Sequence, residues 1–188
     1  MALISILYWL SLATWFGSAV FLAVAAPTII RTVRDHDPLL PTVLSVNLER
    51  QHAALLAGSI VRNLLISLTR LSYLCAGGLL IALVGEWIVV ARGGLDLVLP
   101  LLRSALFIAA AVFMIYDARF VRPRIEEARR TFVDHADEPD VANPALDLFE
   151  RYGRESVTVL QTLIFMLLGL VVFSAIGLAR GMGQTVLF

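Results

Sequence analysis

The sequence predicts an all-α integral membrane protein, a four-transmembrane-helix bundle with amphipathic cytoplasmic helical extensions. Three observations lead there. Hydrophobic residues make up 59% of the 188-residue chain and charged residues only 16%, against about 45–50% and about 25% in an ordinary soluble domain. The mean hydropathy is +0.84, and the apolar residues are gathered into four runs, each near the about 20 residues a helix needs to cross a bilayer. The basic residues, all of them arginine, fall almost wholly in two of the three segments between those runs.

The first span covers about residues 2–26 and leaves through Pro27, Arg31 and Arg34. A cleaved signal peptide is the rival reading, because Ala23-Val24-Ala25 resembles a small-residue cleavage site. The absence of a basic start and an apolar part longer than the usual 7–15 residues oppose it. The arginines that follow at once disfavour translocation of that end. The next segment, residues 31–70, carries Asp37-Pro38 and Pro41. Beyond them Leu44, Leu48, Leu55, Leu56, Ile60, Leu64 and Leu68 recur near helical spacing among Glu49, Arg50, Arg62 and Arg70, which predicts an amphipathic helix over about 41–70.

The second span is about 72–90 and the third about 97–116. Gly93-Gly94 forms the turn between them, and Pro100 sits in the tolerated first turns of a helix. The polar segment 117–155 reads as a helix over Ile125–Phe132 and a loop over Asp134–Asn143. A helix then starts at Asn143-Pro144, with Asn as cap and Pro at the first helical position. That helix runs into the fourth span, about 157–179, and ends at Arg180-Gly181. The whole chain forms one membrane domain.

Orientation follows from the arginines. Segments 31–70 and 117–155 lie on one side of an even-numbered bundle and hold twelve of the 15 basic residues. This positive-inside bias predicts cytoplasmic loops and extracytoplasmic termini, in the cell (inner or plasma) membrane. Trp87, Tyr73 and Tyr116 fall at the span ends, where aromatic belts form.

Composition bounds the chemistry. The net charge is zero, so no basic field draws nucleic acid. The single cysteine, Cys75, lies in an apolar run and reads as a small packing residue. His36, His52 and His135 fall outside the spans, whereas a transmembrane haem takes axial histidines from within them. No cofactor or metal is expected. No nucleophile, phosphate-loop or metalloprotease motif is present, so the expectation is a non-enzyme.

Glu86 and Arg103 are the charges set well inside predicted spans, and such residues face the bundle interior in pairs. Gly78, Ala82 and Glu86, at i, i+4 and i+8, put Glu86 on a face of small residues that lets helices approach. A proton or cation site is one reading; a structural ion pair near the outer interface is the favoured one. Trp15 reads as a packing anchor whose indole N–H needs an acceptor. Ser11, Ser18 and Ala25, at heptad spacing, mark the seam of the same helix. Thr158, Gln161, Thr162 and Gly169 form a small polar stripe on the fourth span, expected to hydrogen-bond between helices. The cluster Arg119, Arg122, Arg124, Glu126, Glu127, Arg129 and Arg130 reads as a solvated, self-paired helix beside anionic headgroups.

The stretch Thr14-Trp15-Phe16-Gly17-Ser18, followed by Ala26-Pro27 and Arg31, resembles the transmembrane protein 205-like family of small four-span proteins. Ala57-Gly58, and Pro123 with Glu126, fit as well. The resemblance implies that Trp15, Gly17, Ser18, Pro27 and Arg31 are signature packing residues, and that Asp117, Arg119, Pro123 and Glu126 lie at the cytoplasmic interface. It implies a loose association with export and resistance but no established reaction. The layout is more distantly similar to four-span copper-resistance and haem-pathway proteins. The functional expectation is an accessory or assembly subunit of a larger membrane complex, with lipid and other subunits or a second copy as partners. A small transporter or efflux component using Glu86 is the alternative, and a haem-pathway or copper-resistance-like protein the weaker one.

Overall fold

The computed structural model describes residues 2–35, 49–93, 97–135 and 138–185. Those residues are helical apart from short connections. Helix α1 spans Ala2–Asp35, α2 Glu49–Gly93 and α3 Val98–Tyr116. A π turn over Asp117–Val121 carries α3 directly into α4, Arg122–Asp134. Helix α5 spans Pro139–Thr185. Four of these helical runs are long and apolar enough to cross a membrane.

The helices overrun the predicted spans. Helix α1 continues through Pro27, whose missing N–H costs one helical bond. Helices α2 and α5 have 45 and 47 residues, or about 68 and about 70 Å at 1.5 Å per residue. Both exceed twice the roughly 30 Å of a hydrocarbon core. Residues 41–48 of the predicted amphipathic helix lie outside the described residues; 49–70 belong to α2. The fourth candidate span ends at Ala179, before Arg180-Gly181 as expected, but the helix does not stop there and continues to Thr185.

The loop expected over Asp134–Asn143 is much shorter. Helix α5 starts at Pro139, so Pro144 falls inside it and Asn143 is not its cap. The N–H groups of Val141 and Ala142 donate to the Glu138 carbonyl at 3.0 and 2.9 Å, and Asp140 supplies the negative charge that favours a first turn. Two proline signals compete in this stretch, and the earlier one starts the helix. Phe132, Ala142 and Ala145 then close a small core between α4 and α5.

The main core takes one stripe from each long helix. Tyr8, Leu12, Trp15 and Ala19 come from α1, and Cys75, Ala76, Leu79, Ala82 and Leu83 from α2. Phe107, Ala110 and Met114 come from α3, and Leu163, Leu167 and Leu170 from α5. The sets of α1, α3 and α5 recur every three or four residues, the helical period, and that of α2 follows the same period with adjacent pairs at 75/76 and 82/83. Trp15 is fully buried at the centre, edge-on to Phe107 with ring centroids 6.4 Å apart. Large apolar side chains also point outward, among them Leu74, Ile81 and Phe165, as expected of helices that are apolar all round.

Helices α1 and α2 pack closely, as do α3–α4 and α5, and α1 lies against α5. Helices α2 and α3 pack together only sparsely. Side chains rather than backbones span that seam, at both of its ends.

Candidate functional site

At the first of those ends, α2 carries Glu86 and α3 carries Arg103. Arg103 Nη1 donates to Glu86 Oε1 at 2.6 Å. Its Nη2 donates to the Phe173 carbonyl of α5 at 3.3 Å. A Cβ on Gly177 would overlap the same guanidinium, so the glycine makes the space in which Arg103 lies. One residue beyond Phe173, Ser174 donates to Leu170 O, which leaves its oxygen to accept from Tyr8 of α1 at 2.5 Å. Trp87 Nε1 donates to Ser104 Oγ at 2.8 Å beside the pair. A chain of polar contacts therefore runs through α1, α5, α3 and α2. Tyr8 and Ser174 were not singled out from the sequence; a hydroxyl inside each of two apolar runs was the available signal.

Gly78, Ala82 and Glu86 do not present one face to one neighbour. Gly78 meets Ser11 of α1, where any Cβ would collide with the serine hydroxyl, while Glu86 turns to α3. The stripe Thr158, Gln161, Thr162 and Gly169 differs from expectation too. Thr158 donates to Arg154 O and Thr162 to Thr158 O, within their own helix, and Gln161 is exposed. The i−4 carbonyl lies within reach of a helical threonine hydroxyl and needs no neighbour. Trp15 Nε1 is buried with no acceptor among the described residues, as is Arg103 Nε.

The second end is built on the π turn. An α-helix separates residues i and i+5 by about 140° around its axis, too far for an ion pair. The π turn, closed by i→i+5 hydrogen bonding, brings Asp117 and Arg122 onto one side. The Arg122 backbone N–H donates to the Asp117 carbonyl, and Arg122 Nε donates to Asp117 Oδ2 at 2.6 Å. Ser156 of α5 donates to the other carboxylate oxygen at 2.8 Å. Arg122 Nη1 reaches α2, donating to Thr69 Oγ1 and, at 3.4 Å, to Leu65 O. Asp117 is buried. It lies between the helices, and Arg122, expected in the self-paired surface cluster, pairs with it instead.

A cavity of about 50 Å³ lies against this pair. Ser18, Ala19 and Leu22 of α1 face it, with Thr69 and Ser72 of α2, Met114 of α3, and Val159 and Leu163 of α5. No sequence template pairs residues five apart, so this site was not visible before the structure.

The other expected positions are spread out. Thr14 and Ser18 are half-buried, and Ser18 donates to Trp15 O at 2.8 Å. Gly17, Pro27 and Arg31 are exposed on α1; Arg119 is exposed on the π turn and Pro123 on α4. Glu126 accepts from Arg129 and Arg130 at 3.2 Å each, so that part of the arginine cluster is paired within its helix. Arg124 lies over the Tyr152 ring, 5.7 Å from its centroid, and Tyr116 donates to Glu155 at 2.6 Å. His135 is exposed on the connection to α5, and His36 lies outside the described residues. Among the described residues no three His, Cys, Asp or Glu side chains gather as a metal site would need. No family model, curated protein or solved structure matches the chain.

Proposed function

We propose that this chain is a non-enzymatic membrane protein that works as an accessory or assembly subunit of a larger membrane complex. In this reading its four long helices form a transmembrane bundle in the cell membrane. The polar ends of α2 and α5, with α4, make a helical stub on the cytoplasmic side, and both termini are outside. One observation carries the reading: Glu86–Arg103 and Asp117–Arg122 both spend their charges on neighbouring helices. Charges so used hold a scaffold in register.

Solubilisation in a mild detergent tests it. A partner retained in fixed ratio through two purification steps is the expected result. A chain that purifies alone and moves solute in liposomes overturns it. A reporter fused after Phe188 should behave as extracytoplasmic and one inserted at Asp137 as cytoplasmic. The reverse pattern overturns the orientation.

A small transporter or efflux component, in line with the family resemblance, is the second reading. The observation that favours it is the cavity beside Asp117, which makes Asp117 rather than Glu86 the carboxylate for such a role.

A further inference from the structure

The cavity beside the π turn has a hydrogen-bonding balance that identifies its occupant. The hydroxyl hydrogens on its wall are already committed. Ser18 donates to Trp15 O, Thr69 to Leu65 O, Ser72 to Leu68 O and Ser156 to Asp117. A hydroxyl oxygen has two lone pairs, so Ser18, Ser72 and Ser156 still present acceptors, as does the Asp117 carboxylate. The donors left are those of Arg122 Nη2, which has no acceptor among the described residues.

Charge narrows the choice. An inorganic anion brings only acceptors to a wall whose polar atoms are mostly acceptors, and meets the Asp117 carboxylate. A cation meets the Arg122 guanidinium, and the pair has no net charge to offer either. Size narrows it again. An engineered apolar cavity of about 150 Å³ holds one benzene, whereas a single water needs roughly 10–15 Å³. At about 50 Å³ the space is too small for a ring and ample for several waters. Leu65, Leu68 and Leu160 make the rest of the wall apolar, so it is on the side of Asp117 and Arg122 that the occupant must be small, neutral, and both donor and acceptor.

We infer that this cavity is a hydration site, holding a cluster of about three waters that bridges Arg122 and Asp117 to the serines of α1, α2 and α5. The waters complete the hydrogen bonding of the ion pair where α2 and α3 stand apart. They also make this end of the helices wet, while at the other end Gly177 packs directly against the Arg103 guanidinium.

Radiolytic hydroxyl-radical labelling of the full-length protein in nanodiscs tests this, because X-rays generate radicals from bound water in place. Met114 lines the cavity and is buried, whereas Met166 is only partly buried against the same core. Exposure alone ranks Met166 first. A hydrated cavity reverses the order, with Met114 labelled at least about fivefold faster. Ala19→Val, on the cavity wall, should bring Met114 down to the Met166 rate while Met166 is unchanged. Met114 labelled no faster than Met166 in the parent protein means a dry cavity or one filled by an acyl chain, and overturns the inference. So does undiminished Met114 labelling in a folded Ala19→Val protein. If Ala19→Val does not fold, the comparison within the parent protein still decides.

Discussion

Arg103 and Arg122 both reach from the third helical run to α2, yet they are held in different ways. Of the two arginines Arg103 is the more enclosed, its side chain 12% exposed against 27% for Arg122, while the carboxylates rank the other way, Glu86 at 26% and Asp117 at 10%. It lies in a slot that Gly177 leaves open and donates to a backbone carbonyl that cannot turn away. Arg122 hangs from a π turn, donates to a threonine hydroxyl and a carbonyl of α2, and borders a cavity. One arginine is fixed by packing; the other by a local change of helical pitch. The lesson concerns the cost of losing a partner. Where packing excludes water, the surviving charge is stranded. Where a cavity admits water, the survivor is resolvated and the loss is smaller.

The largest expected effect is therefore at the Glu86 pair. Glu86→Gln should lower stability in detergent by about 3–5 kcal/mol, the range for stranding one member of a buried ion pair, and Arg103→Met by less, because the surviving Glu86 side chain is 26% exposed. The double variant should recover part of that loss, because neither charge remains. Thermal unfolding of the four proteins in one detergent provides the cycle. Additive losses would show that the two side chains do not support each other. Full stability of both single variants, with loss of a transport or resistance phenotype, would make Glu86 the functional carboxylate.

The Glu86 pair was legible in the sequence and the Asp117 pair was not, for physical reasons. Glu86 lies about four residues from one end of its span and Arg103 about six from the facing end of the next. At 1.5 Å per residue that is about 6 and about 9 Å from a common face. The short turn between the spans makes them antiparallel neighbours, so depth alone brings the two together. Asp117 and Arg122 lie five apart in one run, on opposite sides of any regular α-helix. Only the π turn aligns them, and the side-chain pattern of Asp117–Val121 carries no mark of it. Of the core, Trp15 was marked as a packing anchor and Cys75 as a small packing residue, but the stripes were not, because runs that are apolar all round do not mark which face is buried. The start of α5 was not legible either, because Pro139 and Pro144 are equally good first residues and only the tertiary fold chooses.

A smaller effect is expected at the wet pair. Asp117→Asn keeps the shape and an acceptor for Ser156 but removes the negative charge beside Arg122. The loss should be about 1.5–3 kcal/mol, the worth of hydrogen bonds to a charged group, and below that of Glu86→Gln in the same detergent. Equal losses from the two variants would erase the contrast between dry and wet ends.

The smallest effect is the sharpest, because its sign changes with background. Gly177→Ala places a methyl group where the Arg103 guanidinium lies. Overpacking of this kind costs about 1–3 kcal/mol, while alanine gains about 1 kcal/mol over glycine inside a helix. The arginine tip cannot yield freely, since Glu86 and the Phe173 carbonyl hold it from two sides. The net result in the parent protein should be a destabilisation of up to about 2 kcal/mol. In the Arg103→Met background the guanidinium is gone and a flexible thioether replaces it. The clash then vanishes, the helical gain remains, and Gly177→Ala should become stabilising. Thermal unfolding of this second cycle reads the reversal directly. The same sign in both backgrounds would mean that Gly177 serves the helix alone, and that the Arg103 slot plays no part in the dry end of the seam.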